Sequence, residues 1–525
     1  MLARTFSGAV NGIDARLVEI EVNLSASGRT PPGMDSAVSI VGLPDTAVKE
    51  SRDRVFSAFS SSNLIPPRGM LIVNLAPAGV RKEGAAFDLG IALGILAASG
   101  GLDPAKLERC GILGELALNG AIRPVYGVLP VASALASSGR VDLIIVPDAN
   151  AREAALAARG RVPVYAAANL AEAAELIGSG KGRECRASIE EYMRENPADL
   201  PDFSEVKGQH LARRALEIAA AGGHHVLMAG SPGTGKTMLA MRLPGILPPL
   251  TAEEALETSR IHSVLGLLSD DRPIVDVRPF RSPHHTVSDA GLIGGGRDPR
   301  PGEISLAHNG VLFLDELPEF RRSVLEVLRQ PLESGQVTVS RAAGSYTFPA
   351  RFLLCAAMNP CPCGRGYVEL GCQCKLEEIR RYRNKLSGPL LDRIDLLVEL
   401  PQLSPEELTS APPGEDSAAI RDRVVAARER QYARMMRACG RQLSNSRLTP
   451  RRLREFCAVT PTQELMLREA IRRFKLSPRA YDRILKVART IADLAGSENL
   501  RDEHLLEAVN YRNCRALGPE RHSSF

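Results

Sequence analysis

One stretch decides the fold of this chain, Val226-Leu227-Met228-Ala229-Gly230-Ser231-Pro232-Gly233-Thr234-Gly235-Lys236-Thr237-Met238-Leu239-Ala240-Met241. Its centre, residues 230–237, matches the phosphate-loop pattern G-x-x-x-x-G-K-T, with a strand-like run before it and a helix-like run after it. Glycines let backbone N–H groups turn inward around an anion, and the helix N-terminus adds partial positive charge. The stretch therefore predicts a nucleoside triphosphate site on a strand–loop–helix unit.

The residues of this loop have distinct expected roles. Lys236 would reach the β- and γ-phosphates, and the Thr237 hydroxyl would ligate Mg²⁺. ATP and Mg²⁺ are therefore the expected ligands. The residues expected to surround the phosphates are Gly230, Ser231, Pro232, Gly233, Thr234, Gly235, Lys236 and Thr237.

Two further apolar runs end in polar side chains. The run 311–314 is followed by Asp315 and Glu316, a pattern typical of a buried parallel strand that carries two carboxylates at its tip. Asp315 would hold Mg²⁺ directly or through water, and Glu316 would polarise the attacking water. The run 352–358 ends in the amide Asn359. The polar residues at the ends of these two runs are therefore predicted to complete a hydrolytic site with the phosphate loop.

Composition sets limits on the rest of the chain. Its 525 residues, 44% of them hydrophobic, suffice for roughly three domains, and the 4% of aromatic residues predict aliphatic cores. The net charge is +5, yet residues 420–525 hold 23 Lys and Arg against 12 Asp and Glu. This asymmetry predicts a nucleic-acid surface, although a solvated basic helical face explains the charge equally well.

Nothing in the sequence indicates a membrane protein. Residues 1–22 mix charge and glycine without the apolar core of a signal peptide, and the most apolar stretch, 89–102, is too short to span a bilayer. We therefore expect a cytoplasmic protein with reduced cysteines and no membrane partner.

The patterning predicts a multidomain α/β protein with three modules. Residues 1–177 alternate strands (18–22, 38–41, 70–73, 143–146) with helices (47–60, 85–98, 128–138), which is typical of an α+β domain. The polar segment 178–202 predicts a linker. Residues 203–401 form the expected P-loop α/β domain with a parallel sheet, and 402–525 an all-α lid with helices at 418–439, 450–457, 461–474, 478–495 and 502–516.

Four of the ten cysteines lie close together in the sequence, as Cys361-Pro362-Cys363 and Cys372-Gln373-Cys374. Two C-x-C pairs can supply a tetrahedral thiolate site for a structural Zn²⁺. A disulfide pair is the less favoured alternative in a reducing compartment.

Two insertions interrupt the P-loop domain. The first, Arg281 to Arg297, carries His284 and His285, for which we favour a structural or substrate-contacting loop over a metal site because adjacent side chains diverge on a strand. The second, residues 336–349, alternates polar and apolar residues around Ala342-Ala343-Gly344 and predicts a β-hairpin.

The run Gly302-Glu303-Ile304-Ser305-Leu306-Ala307-His308-Asn309-Gly310-Val311-Leu312-Phe313-Leu314-Asp315-Glu316-Leu317-Pro318-Glu319-Phe320 makes a resemblance specific. Together with the phosphate loop, it resembles the magnesium-chelatase-like AAA+ ATPases. With the N-terminal domain included, essentially the whole chain resembles the ComM (YifB) type of that family.

The resemblance implies further site residues. Val206 and Gln209 would line the adenine pocket, Asn359 would be the sensor-1 amide, and Arg393 would be an arginine finger for the neighbouring subunit's ATP. A surface salt bridge of Arg393 with Asp392 or Asp395 is the competing interpretation. Arg479 matches the sensor-2 arginine, with Arg483 one turn later as the alternative. In related ring helicases the two insertions grip DNA in the pore, which makes Arg341 the expected phosphate contact, against a plain surface hairpin.

The N-terminal domain resembles the Lon-protease-like fold related to ribosomal S5 domains. The nucleophile position of that fold falls on Ala86, and the activating lysine is replaced by Arg123. Alanine carries no nucleophile and arginine does not serve as a base, so peptide cleavage is not expected. Assembly, partner docking or DNA contact remain open as its role.

The leading hypothesis is an ATP-driven homo-hexameric motor acting on single-stranded or branched DNA and suited to branch migration in recombination and natural transformation. Recombination proteins are the further partners that this hypothesis suggests. The alternative is a chelatase-type remodelling ATPase acting on a protein or metal-insertion partner. A Lon-like protease ranks third.

Overall fold

The computed structural model describes residues 1–25, 36–65, 67, 69–195, 200–296, 299–341, 344–365, 371–404, 412–474, 476–512 and 514. The chain divides into two compact units, and each is treated by itself. The first unit comprises Met1–Pro197 and Thr251–Asp276, and the second comprises Ala198–Leu250 and Val277–Phe525. No helix in the described ranges is long and apolar enough to cross a membrane.

The strands are, in chain order, β1 (Leu2–Asn11), β2 (Asp14–Ser25), β3 (Ser36–Val41), β4 (Gly69–Ala76), β5 (Cys110–Ile112), β6 (Glu115–Leu116), β7 (Ile122–Arg123), β8 (Leu143–Pro147), β9 (Val164–Ala167), β10 (Arg183–Cys185), β11 (Val226–Gly230), β12 (Phe280–Arg281), β13 (Gly294–Gly295), β14 (Arg300–Pro301), β15 (Val311–Leu314), β16 (Gln336–Arg341), β17 (Gly344–Pro349), β18 (Leu353–Met358) and β19 (Leu396–Leu400).

The helices are α1 (Thr46–Ser61), α2 (Asp88–Ala98), α3 (Pro104–Leu107), α4 (Val128–Ser137), α5 (Ala151–Ala158), α6 (Leu170–Ser179), α7 (Ile189–Glu195), α8 (His210–Gly222), α9 (Lys236–Ile246), α10 (Ala252–Val264), α11 (Asp289–Ile293), α12 (Glu303–Leu306), α13 (Arg322–Val327), α14 (Arg329–Ser334), α15 (Leu376–Arg383), α16 (Gly388–Leu391), α17 (Ser417–Cys439), α18 (Pro450–Phe456), α19 (Pro461–Phe474), α20 (Pro478–Leu494) and α21 (Asp502–Asn510).

The first unit is built on an eight-stranded mixed sheet with the order β10-β9-β8-β5-β1-β2-β4-β3. Alternate residues of β2 are buried under helix α2, all of whose residues are buried. Gly90 and Gly94 permit this close packing, because a Cβ at either position would lie 2.7 Å from a side-chain carbon of Ile20 or Val22. The α+β prediction for this region is consistent with the mixed sheet, although strand β1 was not anticipated.

The division of the chain differs from the predicted one in two places. The sequence predicts that residues 251–276 belong to the P-loop domain, but helix α10 packs against α4 in the first unit. Its Ser263 hydroxyl donates to the buried Glu153 carboxylate at 2.5 Å, which also accepts from the Leu129 N–H at 3.0 Å. The predicted linker contains β10, which pairs with β9, and helix α7. Neither packing arrangement can be predicted from the local sequence.

The second unit contains a five-stranded sheet with the order β12-β15-β18-β11-β19, and every pairing in it is parallel. Strands β11, β15 and β18 are buried along their whole length, as their continuous apolar runs predict. Because parallel strands end at the same edge, Gly230, Leu314 and Met358 bring the polar residues that follow them together. The predicted parallel sheet is confirmed.

The C-terminal helices belong to the same hydrophobic core as the sheet. Val424 of α17, Ile484 of α20 and Leu505 of α21 are buried in one cluster with Val226 of β11. The predicted helices agree with α17 to α21 within two residues wherever the structure describes them, except that α21 ends at Asn510. Residues 513 and 515–516 of the last predicted helix lie outside the described ranges. The predicted helical C-terminal region is confirmed.

A buried polar network joins the base of the sheet to helix α20. The Asp395 carboxylate contacts His224 Nδ1 at 3.2 Å and forms a close ion pair with Arg483, while His224 Nε2 lies 2.8 Å from the Thr490 hydroxyl. The cation of Arg483 holds the pKa of Asp395 far below its usual range, against the cost of burial. This network fixes the helical region to the sheet.

His225, at the start of β11, gives a prediction about pH. Burial lowers the pKa of its ring to about 4, and its Nδ1 accepts the Leu354 N–H at 3.0 Å. In the unfolded chain this histidine takes up a proton with a pKa near 6.5, whereas in the folded chain it stays neutral down to about pH 4. The free energy of unfolding therefore falls as the pH drops from 6.5 toward 4. We expect a loss of about 2 kcal/mol between pH 6.5 and 5 from this group.

Unfolding measured across this pH range tests the expectation. His225→Asn keeps an acceptor but does not titrate, so its stability should vary less with pH than that of the wild type. His210→Asn, at an exposed histidine on α8, should behave like the wild type. Equal slopes for wild type and His225→Asn would contradict the assignment.

Candidate nucleotide-binding site

The phosphate loop connects β11 to α9 and has the shape that its glycines allow. Gly233 and Gly235 have φ angles of +80° and +86°, a region that favours glycine. A Cβ at Gly230 would lie 2.9 Å from the Leu400 carbonyl oxygen. The Thr234 hydroxyl donates to the Ser231 carbonyl at 2.9 Å and closes the turn. The loop is thus a backbone cradle open to an anion.

Lys236 is the buried charge of the site. Its Nζ donates to the carbonyls of Gly230 at 2.6 Å and Ser231 at 2.9 Å, and to Asn359 Oδ1 at 3.3 Å. Burial lowers the pKa of the ammonium, while the nearby charges of Asp315 and Glu316 oppose that shift. Neutral oxygens alone contact Nζ in the described part of the chain, so a phosphate would supply an anionic partner. The residues therefore fit a nucleotide.

Thr237 and Asp315 meet beside Lys236. The Thr237 hydroxyl donates to Asp315 Oδ2 at 2.8 Å, and Asp315 Oδ1 accepts the Glu316 N–H at 2.9 Å. A hydroxyl and a carboxylate are hard oxygen ligands of the kind that Mg²⁺ prefers. The exposed Glu316 has a φ of +51°, which turns the chain sharply after β15. The residue pair fits a magnesium ion.

One neighbour of Glu316 was missed from the sequence. His285 Nδ1 lies 3.7 Å from Glu316 Oε2, and its ring lies 4.0 Å from that of His284, centroid to centroid. His284 Nδ1 lies 2.9 Å from the Thr286 hydroxyl. The expectation that the two histidines diverge on a strand is wrong, because residues 284–285 lie outside any strand and their rings are close together. The separation of His285 from Glu316 along the chain gives no signal that the two side chains meet.

Gln209 and Val206 lie where they can support the loop. Gln209, with a φ of +50°, donates its Nε2 to the carbonyls of Thr234 at 3.3 Å and Pro401 at 2.9 Å. Val206 is fully buried. Contact of either residue with adenine stays a prediction.

Arg393 is held within its own chain. Its Nη2 forms a close ion pair with Glu333, and its Nη1 donates to the Pro389 carbonyl at 2.6 Å. The salt-bridge alternative had named Asp392 or Asp395, but the acid is Glu333. No contact in the described ranges joins Arg393 to Lys236 or Asp315, which leaves action on a neighbouring subunit open.

The two candidate sensor-2 arginines differ in their surroundings. Arg483 donates to the Arg393 carbonyl at 3.1 Å and pairs with Asp395, so its guanidinium is already occupied. Arg479 is exposed near the start of α20. Of the two, Arg479 has the more accessible guanidinium, and its role as the sensor-2 arginine stays a prediction.

The predicted hairpin is present as β16 and β17, paired from Gln336↔Pro349 to Arg341↔Gly344. Its outer face is polar, with hydroxyl contacts between Thr338 and Thr347 at 3.3 Å and between Ser340 and Ser345 at 3.1 Å. Residues 342–343 and the side chain of Arg341 lie outside the described part, so the DNA contact of Arg341 stays a prediction.

The four clustered cysteines converge, as the spacing predicts. Their sulfurs all lie within 4.8 Å of one another, with Cys361 Sγ 3.3 Å from Cys363 Sγ and 3.6 Å from Cys372 Sγ. A tetrahedral zinc site with Zn–S bonds of 2.3 Å has sulfurs about 3.8 Å apart. All ten cysteines lie in the described ranges and none forms a disulfide. Cys374 completes a donor set that fits a thiophilic metal ion.

The thiol of Cys363 is ready to ligate a metal. Hydrogen bonds from the Arg365 backbone and from Cys361 lower its pKa to about 6. Metal ions bind the thiolate form, so this shift favours ligation at neutral pH. By contrast, burial raises the pKa of Cys457, which lies away from the cluster, to about 12. The low pKa is specific to Cys363 and is not shared by the whole cluster: against a backbone hydrogen bond with Cys363 that lowers it, the side-chain hydrogen bond with Cys363 raises the pKa of Cys374.

Three family comparisons match most of the chain. Magnesium chelatase, subunit ChlI, matches residues 202–408, the subunit ChlI family of Mg-chelatase matches 22–150, and the subunit ChlI C-terminal family matches 414–512. These matches cover the sheet of the second unit, much of the first unit and the C-terminal helices.

Similar proteins extend over nearly the whole length. Competence protein ComM of Haemophilus influenzae is 44% identical over 519 residues, which cover 97% of each chain. YifB of Escherichia coli is 45% identical over 511 residues, or 96% of each chain. The magnesium-chelatase 38 kDa subunit of Cereibacter sphaeroides is 27% identical and covers 30% of this chain. The chain therefore belongs to the ComM/YifB family of magnesium-chelatase-like AAA+ proteins.

Proposed function

We propose that this protein hydrolyses ATP and uses the energy to move along or remodel DNA. The observation that carries the proposal is the meeting of Lys236, Thr237, Asp315 and Asn359 at one edge of a parallel sheet. A family whose members are AAA+ proteins implies ATP and Mg²⁺ as ligands, and the residues at this edge fit both.

The expected division of labour follows from the contacts. Lys236 would exchange backbone carbonyls for phosphate oxygens, and Thr237 and Asp315 would hold Mg²⁺, which would supply positive charge beside the phosphates. Glu316 accepts a proton from the attacking water, and Asn359 orients that water. His285 limits the positions that Glu316 can adopt.

A ring assembly would allow Arg393 to act on the nucleotide of a neighbouring subunit. In its own subunit, Arg393 is paired with Glu333 away from the phosphate loop. A head-to-tail contact that closes into a ring would present the guanidinium to the neighbour's phosphates. We propose a homo-hexamer on this basis.

A basic groove in the second unit supports a polyanionic substrate. It has a volume of about 680 Å³ and lies between residues 319–322 and helix α15. Five cationic side chains face two acidic ones there, and Arg321, Arg322 and Arg381 make no ion pair with any described residue. Its lining residues are Glu319, Phe320, Arg321, Arg322, Glu377, Arg380, Arg381, Asn384 and Lys385.

We propose that this polyanion is DNA. One is named a competence protein, and we carry that role over as processing of incoming single-stranded or branched DNA by branch migration, with recombination proteins as partners. The hairpin with Arg341 would add a second DNA contact. We also propose that the first unit is a Lon-like domain without peptidase activity, because Ala86 and Arg123 occupy the dyad positions.

A remodelling ATPase of chelatase type is the second candidate. It is favoured by the match to magnesium-chelatase subunits, which extends over only 30% of this chain. Stimulation of hydrolysis by DNA separates the two candidates.

We further propose that the four clustered cysteines hold one structural Zn²⁺. The donor set is all thiolate, and the sulfur spacings match those of a tetrahedral zinc site. Zinc in such a closed site has no open position for chemistry, so it would act on structure alone.

Substitutions in the loop separate binding from hydrolysis. Lys236→Ala should abolish binding of a fluorescent ATP analogue, because the buried ammonium is lost. Glu316→Gln should bind the analogue normally but hydrolyse ATP at least about 100-fold more slowly, because a general base is lost. Lys49→Ala, at an exposed lysine of the first unit, is the control and should match the wild type. Normal turnover by Glu316→Gln would contradict the assigned roles.

The DNA proposal is tested at Arg381. The wild type should hydrolyse ATP faster with branched DNA and should move the branch point. Arg381→Ala should weaken DNA binding and lower the slope of log affinity against log salt by about one, because one phosphate contact is lost. The control, Arg16→Ala at an exposed arginine of the first unit, should leave the slope unchanged. ATP turnover indifferent to DNA would refute the proposal.

A further inference from the structure

The chain segment that carries the first two cysteines of the cluster contacts the phosphate loop. The chain enters the cluster directly after Asn359, whose side chain contacts Lys236 at 3.3 Å. Cys361 follows two residues later and is fully buried. One end of the cluster segment is therefore attached to a residue of the nucleotide site.

The same segment then returns to the tip of the phosphate loop. Gly364 packs so closely on Pro232 that a Cβ at Gly364 would lie 2.7 Å from Pro232 Cδ. The Ser231 hydroxyl reaches the carbonyl oxygen of Arg365 at 3.5 Å. Segment 359–365 thus touches the phosphate loop from both sides, at Lys236 and at Pro232.

Hydrogen bonds within the segment and from helix α15 contribute to holding its described residues in place. Its internal hydrogen bonds include Gly364 N–H to the Cys361 carbonyl at 3.0 Å and Arg365 Nη1 to the Gly371 carbonyl at 3.2 Å. From outside, Arg383 of α15 donates to the Pro360 carbonyl at 3.4 Å. Weak sulfur–sulfur hydrogen bonds of 3.3 to 3.6 Å join Cys361, Cys363 and Cys372, and four metal–sulfur bonds in their place would be a much stronger constraint on the segment.

We infer that a metal ion bound by the four cysteines holds the phosphate loop in its nucleotide-binding shape, so that metal and nucleotide bind cooperatively. The inference rests on the zinc site proposed above and needs no DNA. Cys361 and Cys363 transmit the constraint through Gly364, which packs on Pro232, and through Arg365, whose carbonyl oxygen accepts from the Ser231 hydroxyl.

Coupling of this kind is reciprocal. If the metal raises the affinity for nucleotide by some factor, nucleotide must raise the affinity for metal by the same factor. We expect a factor of about fivefold or more, the lower end for sites coupled through a shared element.

The first experiment measures both affinities on the full chain. Removal of zinc with a chelator should weaken binding of a fluorescent ATP analogue by about fivefold or more, and added Zn²⁺ should restore it. Competition with a chromophoric chelator should show that a non-hydrolysable ATP analogue tightens zinc binding by the same factor. Cys363→Ser should lose the zinc, whereas Cys439→Ser, an exposed cysteine outside the cluster, should keep it.

The second experiment breaks the contact and leaves the ligands intact. Gly364→Ala should retain zinc yet bind nucleotide more weakly, because the new methyl group pushes Pro232 away. Gly440→Ala is the matched control, since Gly440 has a similar left-handed φ of +67° and no atom within 4 Å of an added Cβ. It should keep wild-type affinity for nucleotide.

Each outcome has one meaning. Nucleotide affinity that is equal in zinc-loaded protein, in folded zinc-free protein and in Gly364→Ala would overturn the coupling and leave the zinc site standing. A chain with no zinc and no zinc affinity would overturn both. Neither result bears on stimulation by DNA, which is measured separately.

Discussion

The geometry of the phosphate loop depends on one buried ammonium group. Lys236 Nζ is surrounded by the carbonyls of Gly230 and Ser231 and the amide oxygen of Asn359, and burial opposes its charge. A charge withdrawn from water is tolerated only when several oxygens replace its hydration shell. Glycine at 233 and 235 permits the turn that delivers those carbonyls, and the parallel sheet brings the tip of β18 beside the loop. The lysine is thus placed to receive phosphate oxygens.

A second buried group connects this site with the C-terminal helices. Asp395 contacts His224 at the base of the sheet and pairs with Arg483 of α20, which also holds the carbonyl of Arg393. Removing one partner of such a buried pair leaves an uncompensated charge and is strongly destabilising. The main chain of the proposed arginine finger is therefore attached to the helical region. A movement of α20 would therefore displace the backbone of Arg393.

Local patterns sufficed for much of this architecture, and long-range packing accounts for what they missed. The loop, the strand tips at Asp315 and Asn359, the hairpin and the C-terminal helices are each encoded within a few consecutive residues. The convergence of the four cysteines also followed from spacing. In contrast, the packing of α10 in the first unit, the Arg393–Glu333 pair and the contact of His285 with Glu316 join residues far apart in sequence. No periodicity or propensity records which distant surface a helix or side chain will meet.

The central claim is that the nucleotide site is completed by Arg393 of a neighbouring subunit. The most direct measurement uses mixed rings of two inactive chains, one Lys236→Ala and one Arg393→Ala, co-expressed with different tags and purified through both. If each site is shared between two subunits, ATP hydrolysis should return in the mixed rings. In a ring assembled at random, roughly a quarter of the interfaces combine an intact phosphate loop with an intact Arg393. Mixed rings as inactive as either parent would contradict the account and assign Arg393 to its own subunit.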